Sequence, residues 1–125
     1  IYASLDPDKP EVLAELPMPG EGGWEFCEFA YLYFSTWHWQ KLVNGQSGWL
    51  PPGYQYNIGM GRSFPSDRAV AHLRSLGVKY VAIHGAFYPP QQLPDVLAGI
   101  DARTDLELIA AAPWAGNESR LYRLK

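Results

Sequence analysis

The segment "PSDRAVAHLRSLGVKYVAIH" (Pro65–His84) constrains the fold more than any other part of this chain. Ser66 is placed to cap a helix, with Asp67 in the first turn, where a negative charge meets the partial positive charge of the helix end. Ala69, Val70, Leu73 and Leu76 repeat at helical spacing and predict one apolar face. Gly77 supplies the left-handed residue that ends such a helix. Val78–His84 follows at once, apolar and β-branched, and reads as a buried central strand. A helix, a glycine and a buried strand in nineteen residues imply an α/β fold.

The remaining elements follow from the same rules. "EVLAELPMP" (Glu11–Pro19) reads as a short strand stopped by prolines. Trp24–Trp39 carries Phe26, Phe29, Ala30, Tyr33 and Trp37 at helical spacing, so a helix is expected from Glu25 to Phe34; aromatic residues form helices poorly, and the end of the segment could be extended. Lys41–Val43 reads as a strand turning at Asn44-Gly45. "LPPGYQYNIGMG" is expected to be a loop, on its prolines and glycines. Leu93, Val96, Leu97 and Ile100 share a helical face. Leu106–Ala112 and "RLYRLK" are strands joined by the turn "PWAGNES". The expected architecture is one α/β domain over residues 1–125. Its single small sheet has four to five strands with flanking helices, and the last two strands form an antiparallel hairpin at one edge.

Charge and composition narrow the function classes. The net charge is −3 and no basic stripe is present, so nucleic acid is not an expected partner. One cysteine, Cys27, allows neither an internal disulfide nor a thiolate zinc site. No apolar run reaches the roughly 20 residues needed to span a bilayer. The start at Ile1 reads as that of a fragment excised from a longer protein.

Chemistry-bearing residues fall in two places. "YLYFSTWHWQKLVNGQSGW" (Tyr31–Trp49) concentrates aromatics and amides. Trp37, His38, Trp39, Gln40 and Asn44 combine ring faces that stack on sugars with groups that fix hydroxyls. The competing reading is core or interface packing. Were the segment helical, Trp37 and Trp39 would lie about 200° apart and only one could be fully buried. Ser47 lacks the strand–turn–helix setting of a nucleophile elbow and reads as a turn residue. The second place is a rim at the carboxyl ends of the strands, where clefts form in open α/β sheets. Glu15, Asn44 and His84 reach that rim and Tyr88 could join them. His38, His72 and His84 show no metal-ligand spacing, and "GMGR" is an incomplete phosphate loop, so no metal or cofactor is expected. "NES" (Asn117–Ser119) matches the glycosylation sequon, a short pattern.

"LAELPMP", "STWHWQKLVNGQSG", "PPGY", "FPS", "LGVKYVAIHG" and "SRLYRLK" together resemble the C-terminal soluble region of bacterial polytopic membrane glycosyltransferases of the GT-C type, the dolichyl-phosphate-mannose–protein mannosyltransferase-like group. The resemblance implies an extracytoplasmic accessory domain on the outer face of the bacterial cytoplasmic membrane. Its partners would be the transmembrane part of the same polypeptide and a glycan or lipid-linked sugar. Catalysis in such proteins resides in the membrane part, so the resemblance carries no catalytic residue onto this chain. Trp37, His38, Trp39, Asn44, His84 and Tyr88 are then candidate ligand-binding residues. A self-contained hydrolase at Glu15, Asn44 and His84 is the alternative, and an assembly module without ligand is a third.

Overall fold

The computed structural model describes residues 1–18, 26–43 and 53–125. Among them five strands, β1 (Val12–Leu16), β2 (Lys41–Leu42), β3 (Val78–His84), β4 (Leu106–Trp114) and β5 (Asn117–Leu124), form one sheet in the order β2-β1-β3-β5-β4. β1 is parallel to β2 and β3, whereas β5 is antiparallel to β3 and β4. The expected hairpin is therefore present, with β4 at the edge. Its two-residue turn, Ala115-Gly116, has φ of +50° and +78°, the twist that fits a tight hairpin. The strands run further into the expected turn than the sequence indicated, because Trp114 pairs with Asn117.

Among the described residues four α-helices flank the sheet: α1 (Phe26–His38), α2 (Tyr54–Arg62), α3 (Asp67–Ser75) and α4 (Leu93–Asp101). The cap of α3 is as expected, with Ser66 Oγ accepting from the Ala69 N–H at 3.2 Å, and Gly77 has φ +79°. Leu76 departs from the expected apolar face and is exposed beyond the last turn.

Two expectations are corrected. The segment read as a loop contains α2, because Tyr54 and Ile58 lie one turn apart and both are buried in the main core. That burial outweighs the roughly 1 kcal/mol that each internal glycine costs a helix. Gly61 also lets the helix approach the Met18 side chain, where a Cβ would collide with the sulfur. The second correction is to α1, which continues past Phe34 to His38. Its inward face is Tyr31, Phe34 and His38, at i, i+3 and i+7. Tyr33 and Trp37, from the aligned aromatic set, point outward.

Side chains alternate along each strand, so the two sheet faces are distinct. Ala14, Leu16, Val81, Ile83, Tyr122 and Leu124 join Ile58, Val70, Leu73, Val96 and Ile100 of the helices in one apolar core. Leu13, Ala82 and Leu121 form a smaller cluster on the other face, with Leu5 and the half-buried Tyr2. That second face, covered by α1 and the N-terminal segment, carries the polar groups.

Candidate functional site

Glu15 is the next residue after Leu13 on its face of β1, His84 the next after Ala82 on β3, and Ser119 the one before Leu121 on β5. Strand periodicity thus puts all three on the same face. The antiparallel register sets His84 directly opposite Ser119. Parallel pairing of β1 with β3 brings Glu15 alongside Ala82, one pleat from His84.

These side chains form a continuous polar chain inside the protein. Glu15 is fully buried. Its Oε2 lies 2.5 Å from His84 Nε2, the short separation of a charge-assisted hydrogen bond. The other ring nitrogen, Nδ1, lies 3.0 Å from Ser119 Oγ. The Tyr2 hydroxyl donates to both Glu15 oxygens, at 2.8 and 3.0 Å, and is 3.1 Å from His84 Nε2.

His38 approaches the same carboxylate from α1. Its Nδ1 accepts the backbone N–H of Gln40 at 2.9 Å, which leaves Nε2 as the protonated nitrogen of the neutral ring. That Nε2 faces Glu15 Oε1 at 3.5 Å, too long for a good hydrogen bond. Gln40 also accepts from the Glu11 N–H and donates to the carbonyls of Asp6 and His38. The amide therefore ties the N-terminal segment, β1 and the end of α1 together around the cluster.

Burial by itself would push the Glu15 carboxyl group up. The N–H groups of His38 and His84, the charge His84 can carry, and the Tyr2 hydroxyl outweigh it and hold the carboxyl below its ordinary value. The Tyr2 phenol moves the other way. Burial first, and then the adjacent Glu15 charge and hydrogen bond, push it far up, so it stays a donor.

The chain of polar groups meets a cleft at its His84–Ser119 end. A cleft of about 220 Å³ is lined by Ile1, Tyr2, Phe34, Ala112, Pro113 and Trp114, with His84 and Ser119 at its polar floor. Phe34 and Trp114 meet edge to face at a centroid distance of 5.5 Å, and each ring also stands against His84. On the outer side of α1 and just past its end, Tyr33, Trp37 and Trp39 are 62%, 71% and 65% exposed. Trp39 ends the helix in the left-handed conformation, φ +55°, with its N–H donating to the Ser35 carbonyl.

The candidate residues divide as follows. Glu15 and His84 of the rim are in contact, and His38 joins them. Trp37 and Trp39 are both exposed, so neither fills a core. Tyr88 does not join the rim. The turn Gly85–Phe87 carries the chain off the strand, and the Tyr88 ring packs into the apolar core on the other face, where burial pushes its hydroxyl up. Asn44 and Ser47 lie outside the described residues. His72 is occupied by the Asn57 side chain at 2.7 Å. Among the described residues no group of three His, Cys, Asp or Glu is arranged to hold a metal ion.

Sequence reasoning passed over four members: Tyr2, Phe34, Trp114 and Ser119. Only Ser119 had a usable signal. A hairpin turn placed at Ala115-Gly116 puts it on the inward face of β5, but its pairing with His84 depends on a register no local pattern shows. Comparison with protein-family models, curated proteins and solved structures returns no match.

Proposed function

We propose that this chain is a saccharide-recognition domain, serving a membrane-embedded glycosyltransferase-like protein from the extracytoplasmic side. One observation carries this reading. Four separate stretches of the resemblance each send one polar residue to a single cluster: Glu15 from "LAELPMP", His38 from "STWHWQKLVNGQSG", His84 from "LGVKYVAIHG" and Ser119 from "SRLYRLK". The cluster underlies an aromatic-walled cleft of the size and make-up that suits a sugar ring. Phe34 and Trp114 would stack on its apolar face, while Ser119 and His84 would exchange hydrogen bonds with its hydroxyls. The outer row of Tyr33, Trp37 and Trp39 would extend the contact to neighbouring units of a longer glycan.

The test is titration of the chain with oligosaccharides and lipid-linked sugar analogues, followed by tryptophan fluorescence and calorimetry. Saturable binding is expected, weakened about five- to hundredfold in Trp114→Ala, the scale of roughly 1–3 kcal/mol found when an aromatic stacking platform for nucleic-acid bases is removed. Binding that persists unchanged in Trp114→Ala and Phe34→Ala would place the ligand elsewhere. No binding across the whole panel would remove the reading.

A further inference from the structure

The order Ser119, His84, Glu15 has the logic of a nucleophilic relay: a hydroxyl, a base in contact with it, and a carboxylate that orients the base. We propose that Ser119 is an activated nucleophile that takes an acyl group from a small ester bound in the cleft. The proposal rests on the cleft and its polar floor. It goes beyond saccharide recognition and does not need it.

Three observations support it. The first is geometry. Ser119 Oγ and His84 Nδ1 are 3.0 Å apart, and His84 Nε2 and Glu15 Oε2 are 2.5 Å apart, both within the reach such relays require. The ring nitrogens are used in the opposite sense from the familiar serine hydrolases, with the carboxylate at Nε2 and the serine at Nδ1. Either nitrogen of a neutral imidazole can be the acceptor, and the hydrogen bond made by the other decides which.

The second is proton placement. The Glu15 carboxylate accepts from Tyr2 as well as from His84, so it remains a pure acceptor toward Nε2. A proton held on Nε2 leaves the Nδ1 lone pair facing Ser119. The third is access. Ser119 is only 4% exposed, yet it lines the cleft together with His84 and Tyr2, and Glu15 behind them completes the relay. Phe34, Pro113 and Trp114 give the cleft an apolar wall against which a short acyl or aryl group fits.

The step balances within these groups. Ser119 Oγ bonds to the acyl carbon while its proton passes to His84 Nδ1. The ester C–O bond breaks, and the alcohol leaves with that proton. Water can later attack the acyl-serine, give a proton to Nδ1 and release the acid, which restores the Ser119 hydroxyl. Glu15 stays ionised throughout. The relay promotes acylation, whereas rapid turnover also needs an oxyanion site. Stoichiometric modification is therefore the readout.

The chain is incubated with p-nitrophenyl acetate, and separately with a fluorophosphonate probe, and the modified residue is located by peptide mass mapping. Acetylation concentrated at Ser119 is expected, about a hundredfold faster than at Ser63 or Ser75 in the same sample. Ser119→Ala abolishes that adduct, and His84→Gln slows it by a similar factor. Equal labelling of Ser119 and the surface serines in the wild-type chain overturns the proposal without any variant having to fold. A Ser119 adduct that forms as fast in a folded His84→Gln chain also overturns it. The labelling needs no saccharide and the saccharide titration needs no ester, so each reading can fail while the other stands.

Discussion

The two faces of the sheet come from the same three strands, read one residue out of step. Leu16, Ile83 and Tyr122 point to one side, and Glu15, His84 and Leu121 to the other. The first face is stabilised by removing apolar surface from water, at about 25 cal/mol per Å². The second gives up part of that gain to bury a carboxylate and two histidines. A buried charge is tolerated only when paired and hydrogen-bonded, and Glu15 has donors on both oxygens. One face thus makes the domain stable, and the other holds chemistry in a defined geometry at a cost to stability.

The sharpest way to break this comparison is to remove the charge at the centre of the polar face. Glu15→Ala should destabilise the chain by about 3–5 kcal/mol in denaturant titration, since it strands His84 among aromatic rings without its partner. A loss under 1 kcal/mol would mean that the polar cluster contributes nothing to holding the strands together.

Next in size is a cavity on the apolar face. Leu73→Ala should cost about 3 kcal/mol. Measured where both proteins are folded, it should leave the Ser119 reaction and saccharide binding within twofold of wild type. A larger change would show that the two faces are coupled through the sheet.

The pH dependence of stability sharpens the comparison without mutation. The Glu15 pKa is depressed in the folded state, so its contribution is present above the ordinary value of 4.5 and is lost as pH falls through the lower folded value. The Tyr2 pKa is raised, so its contribution is present below the ordinary value of 10.0 and declines as pH rises past it. Denaturation midpoints should therefore hold level between about 4.5 and 10 as far as these groups are concerned, and fall on both sides. In Tyr2→Phe the alkaline decline should diminish. Persistence of the full decline would assign it to other tyrosines.

Smaller effects test the periphery. Ser66→Ala should cost about 1 kcal/mol through loss of the α3 cap, with no effect at the cleft. Trp37→Ala should alter stability by less than about 0.5 kcal/mol, because the ring is exposed, while weakening long oligosaccharides more than single sugars. Equal affinity for both lengths would confine recognition to the cleft.

Much of the fold was legible because its signals are local. The Ser66 cap, the Gly77 terminator and the apolar run to His84 lie within nineteen residues and mean the same thing in any context. The loop assignment over Tyr54–Gly61 failed for the converse reason: its glycines spoke against a helix, and only packing against Met18 and the core shows why they are there. The outward turn of Tyr33 and Trp37 was hidden because aromatic residues lie on several sides of α1, so its few polar residues mark no clear solvent face.

The sequence by itself determined the α/β class and the edge hairpin, and it set Glu15 and His84 near strand ends where they could share a rim. Hydrophobic period, caps and glycines specify elements, and elements specify which strand ends share a rim. Only the tertiary structure decided that Ser119 and Tyr2 complete the cluster, that His38 turns in while its flanking tryptophans turn out, and that Tyr88 belongs to the other face. Those outcomes depend on strand register, on the rotation of α1 and on a turn after β3. Each is set by packing between segments far apart in the chain, so no window of neighbouring residues contains it.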